Sequence, residues 1–157
     1  MSDVDTLHDL LQDQVICMFT TRTADGGLRT IPMARQELTE ATTSLWFITA
    51  RDTEHTQEVE ADPRVHVTFS GSDAWLALDA HAHVVDDDEK LKELWTAAAE
   101  AWLPEGPESD RAVLLRVDVE RAEYWDTPGG RVATALSFAK SKLTGEPYEG
   151  GHGTVEP

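Results

Sequence analysis

The sequence has a single cysteine, four lysines and no extended apolar run, and these shortages remove several classes of protein before any motif is read. With Cys17 alone no internal disulfide can form, and Val15, Ile16, Met18 and Phe19 around it point to a buried thiol. No stretch approaches the ~20 apolar residues that a membrane-spanning helix needs. Residues 1–14 lack the basic start and apolar centre of a secretion signal and carry Asp3, Asp5, Asp9 and Asp13 instead. A cytoplasmic protein with no membrane partner is the expectation. Basic residues are scarce, 13 Lys and Arg against 30 Asp and Glu, and the formal charge of −17 opposes approach to phosphate backbones and anionic lipid. Nucleic acid is therefore not an expected partner. The acidic surplus runs along the whole chain, as suits either a highly soluble surface or a salt-rich cytoplasm in which screening limits self-repulsion.

Two kinds of catalytic site are missing as well. Ser70 and Ser72 lie in a turn without the Gly-x-Ser-x-Gly elbow of a hydrolase nucleophile. His81 and His83 share one strand face with Asp79 but have no third strong ligand nearby, so they read as a solvated outer face and no metal is expected. His8, His66 and His152 have no partner evident in the sequence.

What is present is a succession of short amphipathic segments. Leu7, Leu10 and Leu11 recur at helical spacing behind Asp3 and Asp5, predicting a helix over residues 3–13. Residues 15–23 are β-branched and aromatic, and Asp25-Gly26-Gly27 supplies a hairpin turn into a partner strand over 28–38. Pro32 cannot donate to a ladder, so that second strand is expected at an edge or bulge. A compact strand over 44–49 precedes a helix that starts at Asp52, Thr53 and Glu54 and stops before Asp62-Pro63. Val65, Val67 and Phe69 alternate in the next strand, and Leu76, Leu78, Ala80, Ala82 and Val84 form the buried side of a longer one. Asp86 to Asp88 open a helix whose apolar stripe is Leu91, Leu94, Trp95, Ala98 and Trp102. Val113, Leu115, Val117 and Val119 alternate again, with residues 122–125 continuing the sheet after a kink. Residues 131–142 have helical composition. The layout predicts an α+β, mainly β domain over 1–143, an antiparallel barrel with short helices at its ends, followed by a flexible tail over 144–157.

Four local patterns in this order resemble the pyridoxamine 5'-phosphate oxidase-like split barrels, and most closely their general stress protein 26 branch. They are Gly27-Leu28-Arg29-Thr30-Ile31-Pro32-Met33, Leu45-Trp46-Phe47-Ile48-Thr49, the pairing of Leu94-Trp95 with Ala101-Trp102-Leu103-Pro104-Glu105-Gly106, and Arg121-Ala122-Glu123-Tyr124-Trp125-Asp126. The resemblance implies a split β-barrel of the flavin mononucleotide (FMN)-binding type, working as a homodimer with the cofactor at the interface between copies. It also implies where the cofactor would lie: along Arg29, Thr30, Ile31, Pro32 and Met33, along Trp46, Phe47, Ile48 and Thr49, and by Arg51, Thr53 and His55. Trp102 and Trp125 would close the slot from the other subunit. Hydride or electron transfer is the chemistry such a flavin would carry.

The phosphate end departs from the family pattern. Ile31 stands where an arginine precedes the Pro-Met pair, and Thr53-Glu54-His55 where a Ser-Pro-Lys is usual. Each lost charge-assisted hydrogen bond is worth about 1.5–3 kcal/mol. Arg29, two positions earlier on the same strand face, and Arg51 are candidate replacements. The expectation thus divides between a flavin-binding general-stress-type protein and a cofactor-free dimeric barrel that has dropped the phosphate ligands. A deazaflavin or haem remains a further cofactor possibility that no residue selects.

Overall fold

The computed structural model describes residues 3–38, 43–126 and 151–157. Helix α1 (Asp3–Leu11) is followed by the hairpin β1 (Ile16–Arg22) and β2 (Leu28–Ala34), then β3 (Ser44–Ala50), α2 (Glu54–Ala61), β4 (Arg64–Ser70) and β5 (Ala74–Val85). Two short helices, α3 (Asp88–Leu94) and α4 (Ala97–Trp102), lead to the long β6 (Ala112–Asp126) and to β7 (Gly151–Val155). All strand pairs are antiparallel, in the order β2-β1-β4-β5-β6-β3, with β7 also on β6. After β2 the chain crosses to β3, where the Gln36 amide donates to the Trp46 carbonyl at 2.8 Å and brings the two ends of the strand order together. The expected mainly antiparallel β architecture with a few short helices is the one observed.

Local chemistry explains the element boundaries. The β1–β2 turn places Gly26 at φ +87°, a conformation that costs glycine nothing and other residues a Cβ clash. Pro32 lies opposite Met18 on β2, the terminal strand of the order, where its missing N–H breaks no ladder. The Thr53 hydroxyl accepts from the Thr56 amide to begin α2, and Asp87 does the same for α3.

The single helix expected after Asp86 is in fact two. Trp95 adopts extended backbone at φ −62° and ψ 134°, and the Thr96 hydroxyl caps a new helix by accepting from the Ala99 amide at 3.1 Å. The predicted stripe breaks there, leaving Ala98 exposed and Trp102 84% exposed. The kink expected near residue 120 is a register shift within one continuous β6: Asp79 faces Arg121 and Ala80 faces Val119, so Glu120 is the extra residue of a bulge. The flexible tail expected over 144–157 differs in its described part, where Gly151–Val155 pairs with β6 along Ala122 to Asp126 and Val155 is buried. Glycine suits β7 because a Cβ on Gly153 would meet the Tyr124 ring at 2.6 Å. The helical segment expected over 131–142 lies outside the described residues.

Two apolar layers hold the molecule. Inside the barrel, Phe19 and Phe47 meet edge to face with centroids 5.4 Å apart, among Leu45, Phe69, Leu76, Leu78, Leu115 and Val117. Leu7 and Leu11 of α1 and Val59 of α2 join this core. On the opposite side of β3 and β6, Leu91, Leu94 and Leu103 cover Trp46, Ile48, Ala50, Ala112 and Leu114. Cys17 is buried as expected, and burial pushes its thiol up to about 12.

Candidate functional site

The alternation of β3 divides the candidate residues between these two layers. Leu45, Phe47 and Thr49 point to the barrel interior, opposite Val117, Leu115 and Val113 of β6. Trp46 and Ile48 point the other way, beneath α3, where the Lys90 ammonium sits 4.7 Å from the Trp46 ring centroid. Four consecutive candidates therefore cannot line one slot within a single chain. On β2, Arg29, Ile31 and Met33 share the inner face, and Ile31 and Met33 pack against the barrel core. Thr30 and Pro32 face outward, and the Thr30 hydroxyl shares a 2.8 Å hydrogen bond with Thr20.

Four candidates, Arg29, Thr49, Thr53 and His55, do converge with their neighbours, at the barrel end covered by the first turns of α2. The His55 Nε2 lies 2.7 Å from the Thr49 hydroxyl and 3.2 Å from the Thr53 hydroxyl. Arg29 reaches over from β2 and donates to Glu58 at 2.6 Å and to Glu54 at 2.9 Å. The Thr21 hydroxyl donates to the other Glu58 oxygen at 2.7 Å. Burial raises the Glu58 carboxyl, but the bonds from Arg29 and Thr21 outweigh it and hold the group below its ordinary range. His55 moves the opposite way to a bound cation: burial and the neighbouring Arg29 push it down, against the pull of Glu58, so it is neutral at pH 7. Glu54, Glu58 and Thr21 were not among the sequence candidates. The signal for the two carboxylates was their spacing, like charges four apart on one helix face that call for a cation between them; nothing in the sequence pointed to Thr21.

The remaining candidates lie elsewhere. Arg51 is held by the Asp86 carboxylate and by the Asp110 carbonyl at 3.2 Å. Trp102 ends α4 and projects into solvent, while Trp125 stacks on His152 with centroids 5.1 Å apart and an interplanar angle of 13°. The histidines without an evident sequence partner have one in the fold: His66 meets Asp79 at 3.0 Å, His152 meets Glu123 at 2.8 Å and His8 meets Gln12. His81 pairs with Glu120 at 2.5 Å, and no group of three or more metal-ligating side chains exists among the described residues. No helix of the described residues is long and apolar enough to cross a membrane.

These contacts test the fit of an FMN phosphate, which carries nearly two negative charges and needs free cationic donors. Arg29 is already shared by two carboxylates, Arg51 is engaged by Asp86, His55 is neutral and Ile31 is apolar. The converging cluster of Arg29, His55, Glu54 and Glu58 carries a net negative charge. It does not fit a phosphate, whereas its hydroxyls, neutral imidazole and carboxylate oxygens suit partners that both donate and accept hydrogen bonds.

A family model described as pyridoxamine 5'-phosphate oxidase like matches residues 2–149. A candidate general stress protein 26 from Jannaschia sp. CCS1 superposes with a TM-score of 0.81 at 29% identity, over 98% of this chain and 99% of that one. The general stress protein 26 of Bacillus anthracis str. Sterne gives 0.69 at 20% identity, over 79% and 94% of the two chains. A general stress FMN/FAD binding protein from Xanthomonas citri gives 0.66 at 23% identity, over 78% and 87%. No curated protein matches the sequence.

Proposed function

Because the chain belongs to the pyridoxamine 5'-phosphate oxidase-like family, we propose that it is a general-stress-type split barrel that pairs with a second copy and holds a flavin ring at the interface between them. The observation that carries the pairing is the outward side of β2, β1 and β4. Its outer positions are Leu28, Thr30, Pro32, Ala34, Ile16, Met18, Thr20, Arg22, Arg64, His66, Thr68 and Ser70. In a chain with 30 acidic residues none of these strand positions is acidic, the nearby Asp62 and Asp79 carboxylates are paired with Arg22, Arg64 and His66, and Leu28, Ile16 and Met18 are 74%, 60% and 43% exposed. Two chains that each carry −17 approach most easily through such a surface, and burying its side chains supplies the driving force.

A flavin bound there would supply hydride or electron transfer, while the protein's part is to hold and orient the ring. On that outward face the exposed Leu28 adjoins Arg29 of the polar cluster, which supports an amphipathic ligand with an apolar part on the interface and a polar part toward Glu54, Glu58 and His55. The neutralised Arg29 favours a second reading, a dimeric barrel without cofactor. One measurement tests the interface common to both readings and a second separates them. Light scattering should give twice the 17.4 kDa chain mass. Titration with flavins should produce tryptophan quenching and bound absorbance near ~450 nm. A monomer overturns the interface. A dimer that binds no flavin at high micromolar concentration establishes the cofactor-free reading.

A further inference from the structure

We infer that the polar end of this site selects a flavin whose side chain ends in an uncharged polyol, and discriminates against the phosphorylated form. The inference rests on the flavin reading above and follows from the charges that α2 places at the barrel end. Glu54 and Glu58 project from successive turns of one helix and both engage Arg29, at 2.9 and 2.6 Å. The Glu58 side chain is only 11% exposed, and the Thr21 hydroxyl fixes its second oxygen, so its carboxylate is built into the site. The remaining polar groups, Thr49, Thr53 and His55, are mutually hydrogen-bonded and uncharged.

A phosphate entering this cluster would meet two carboxylates and would have to take Arg29 from both. A polyol brings no charge, and each hydroxyl can donate to a carboxylate oxygen while accepting from a guanidinium or hydroxyl group. Coulomb repulsion between a phosphate and a carboxylate ~5 Å away, at an effective dielectric of ~20, is large enough to change affinity by tenfold or more per pair. The same arrangement explains why the chain tolerates Ile31 and His55: with no phosphate to bind, neither position needs a cation.

The test compares riboflavin and FMN as probes on the same protein by tryptophan quenching, in wild type and in Glu54→Gln and Glu58→Gln. Wild type should bind riboflavin roughly tenfold or more tightly than FMN, and raising salt should narrow the gap by screening. Each substitution should shift the ratio toward FMN by about tenfold. Glu54 is 75% exposed, so Glu54→Gln keeps the test intact if Glu58→Gln fails to fold. Tighter binding of FMN by wild type overturns this inference and leaves the flavin reading standing. So does a ratio unchanged in Glu54→Gln. Binding of neither flavin overturns the flavin reading itself, and this inference with it.

Discussion

Phe47 lies within a run of four residues that the sequence assigns to cofactor binding, yet the structure gives it the properties of a core residue. Replacing it tests that difference directly. Its side chain is fully buried and packs edge to face on Phe19. Phe47→Ala removes a ring from a close-packed interior and leaves a cavity, a loss of about 3–5 kcal/mol. The edge-to-face pair itself accounts for about 0.5–1.5 kcal/mol, which a double-mutant cycle of Phe19→Leu and Phe47→Leu isolates. With a urea m-value of about 1–3 kcal/mol/M, the alanine variant should unfold at least ~1 M earlier than wild type. Urea unfolding at one fixed protein concentration is the suitable assay, because association with a second copy would make the midpoint concentration-dependent. A loss below about 1 kcal/mol would refute the placement of Phe47 in the barrel interior. Unchanged stability with weakened flavin binding would return it to the site.

Three further outcomes follow from the same contacts. Hydrogen bonds from the Arg64 side chain and amide hold the Asp62 carboxyl at about 2, below its ordinary 3.8. Its stabilising effect is therefore complete above pH ~4 and disappears as the pH falls toward 2; Asp62→Asn should flatten the stability profile in that window, and a titration of the Asp62 carboxyl by NMR checks the position. Cys17, with its thiol pushed up to about 12, should resist a thiol reagent at pH 8 in the folded protein and react at once in urea. Thr96→Ala removes the cap that starts α4 and should cost about 0.5–2 kcal/mol by urea midpoint, with a change in the emission of the adjacent Trp95.

Strand and helix identity was written plainly into the residues where one face is apolar and the ends carry their own chemistry. β5 shows Leu76, Leu78, Ala80 and Ala82 buried on alternate positions, and α2 begins on Thr53. Pro32 by itself announced an outer strand. The break at Trp95 and Thr96 was hidden because the apolar spacing of Leu91, Leu94 and Trp95 continues smoothly through it. What ends the helix is a hydroxyl competing for backbone amides, and periodicity does not register that competition. Strand β7 was hidden for a different reason. His152, Gly153 and Thr154 have little strand character of their own, and their pairing with β6 is a tertiary fact. The site divides in the same way. Local spacing brings Thr49, Thr53 and His55 together around the β3–α2 turn, whereas the meeting of Arg29 with Glu58 depends on how α2 lies across the β1–β2 hairpin.

The central place of β6 has a kinetic consequence. This one strand pairs with β3, β5 and β7, and among the described residues β3 has no other strand partner. Leu45, Trp46, Phe47 and Ile48 are therefore synthesised well before Val117, Arg116, Leu115 and Leu114, against which they finally lie. Until then a short apolar β-rich segment has no ladder to join, and closing the large intervening loop slows its pairing. Folding of the nascent chain should stall with β3 unpaired until β6 is complete. Aggregation during synthesis should accordingly respond to changes in β6 more than to changes in the β1–β2 hairpin, whose two strands are neighbours in sequence.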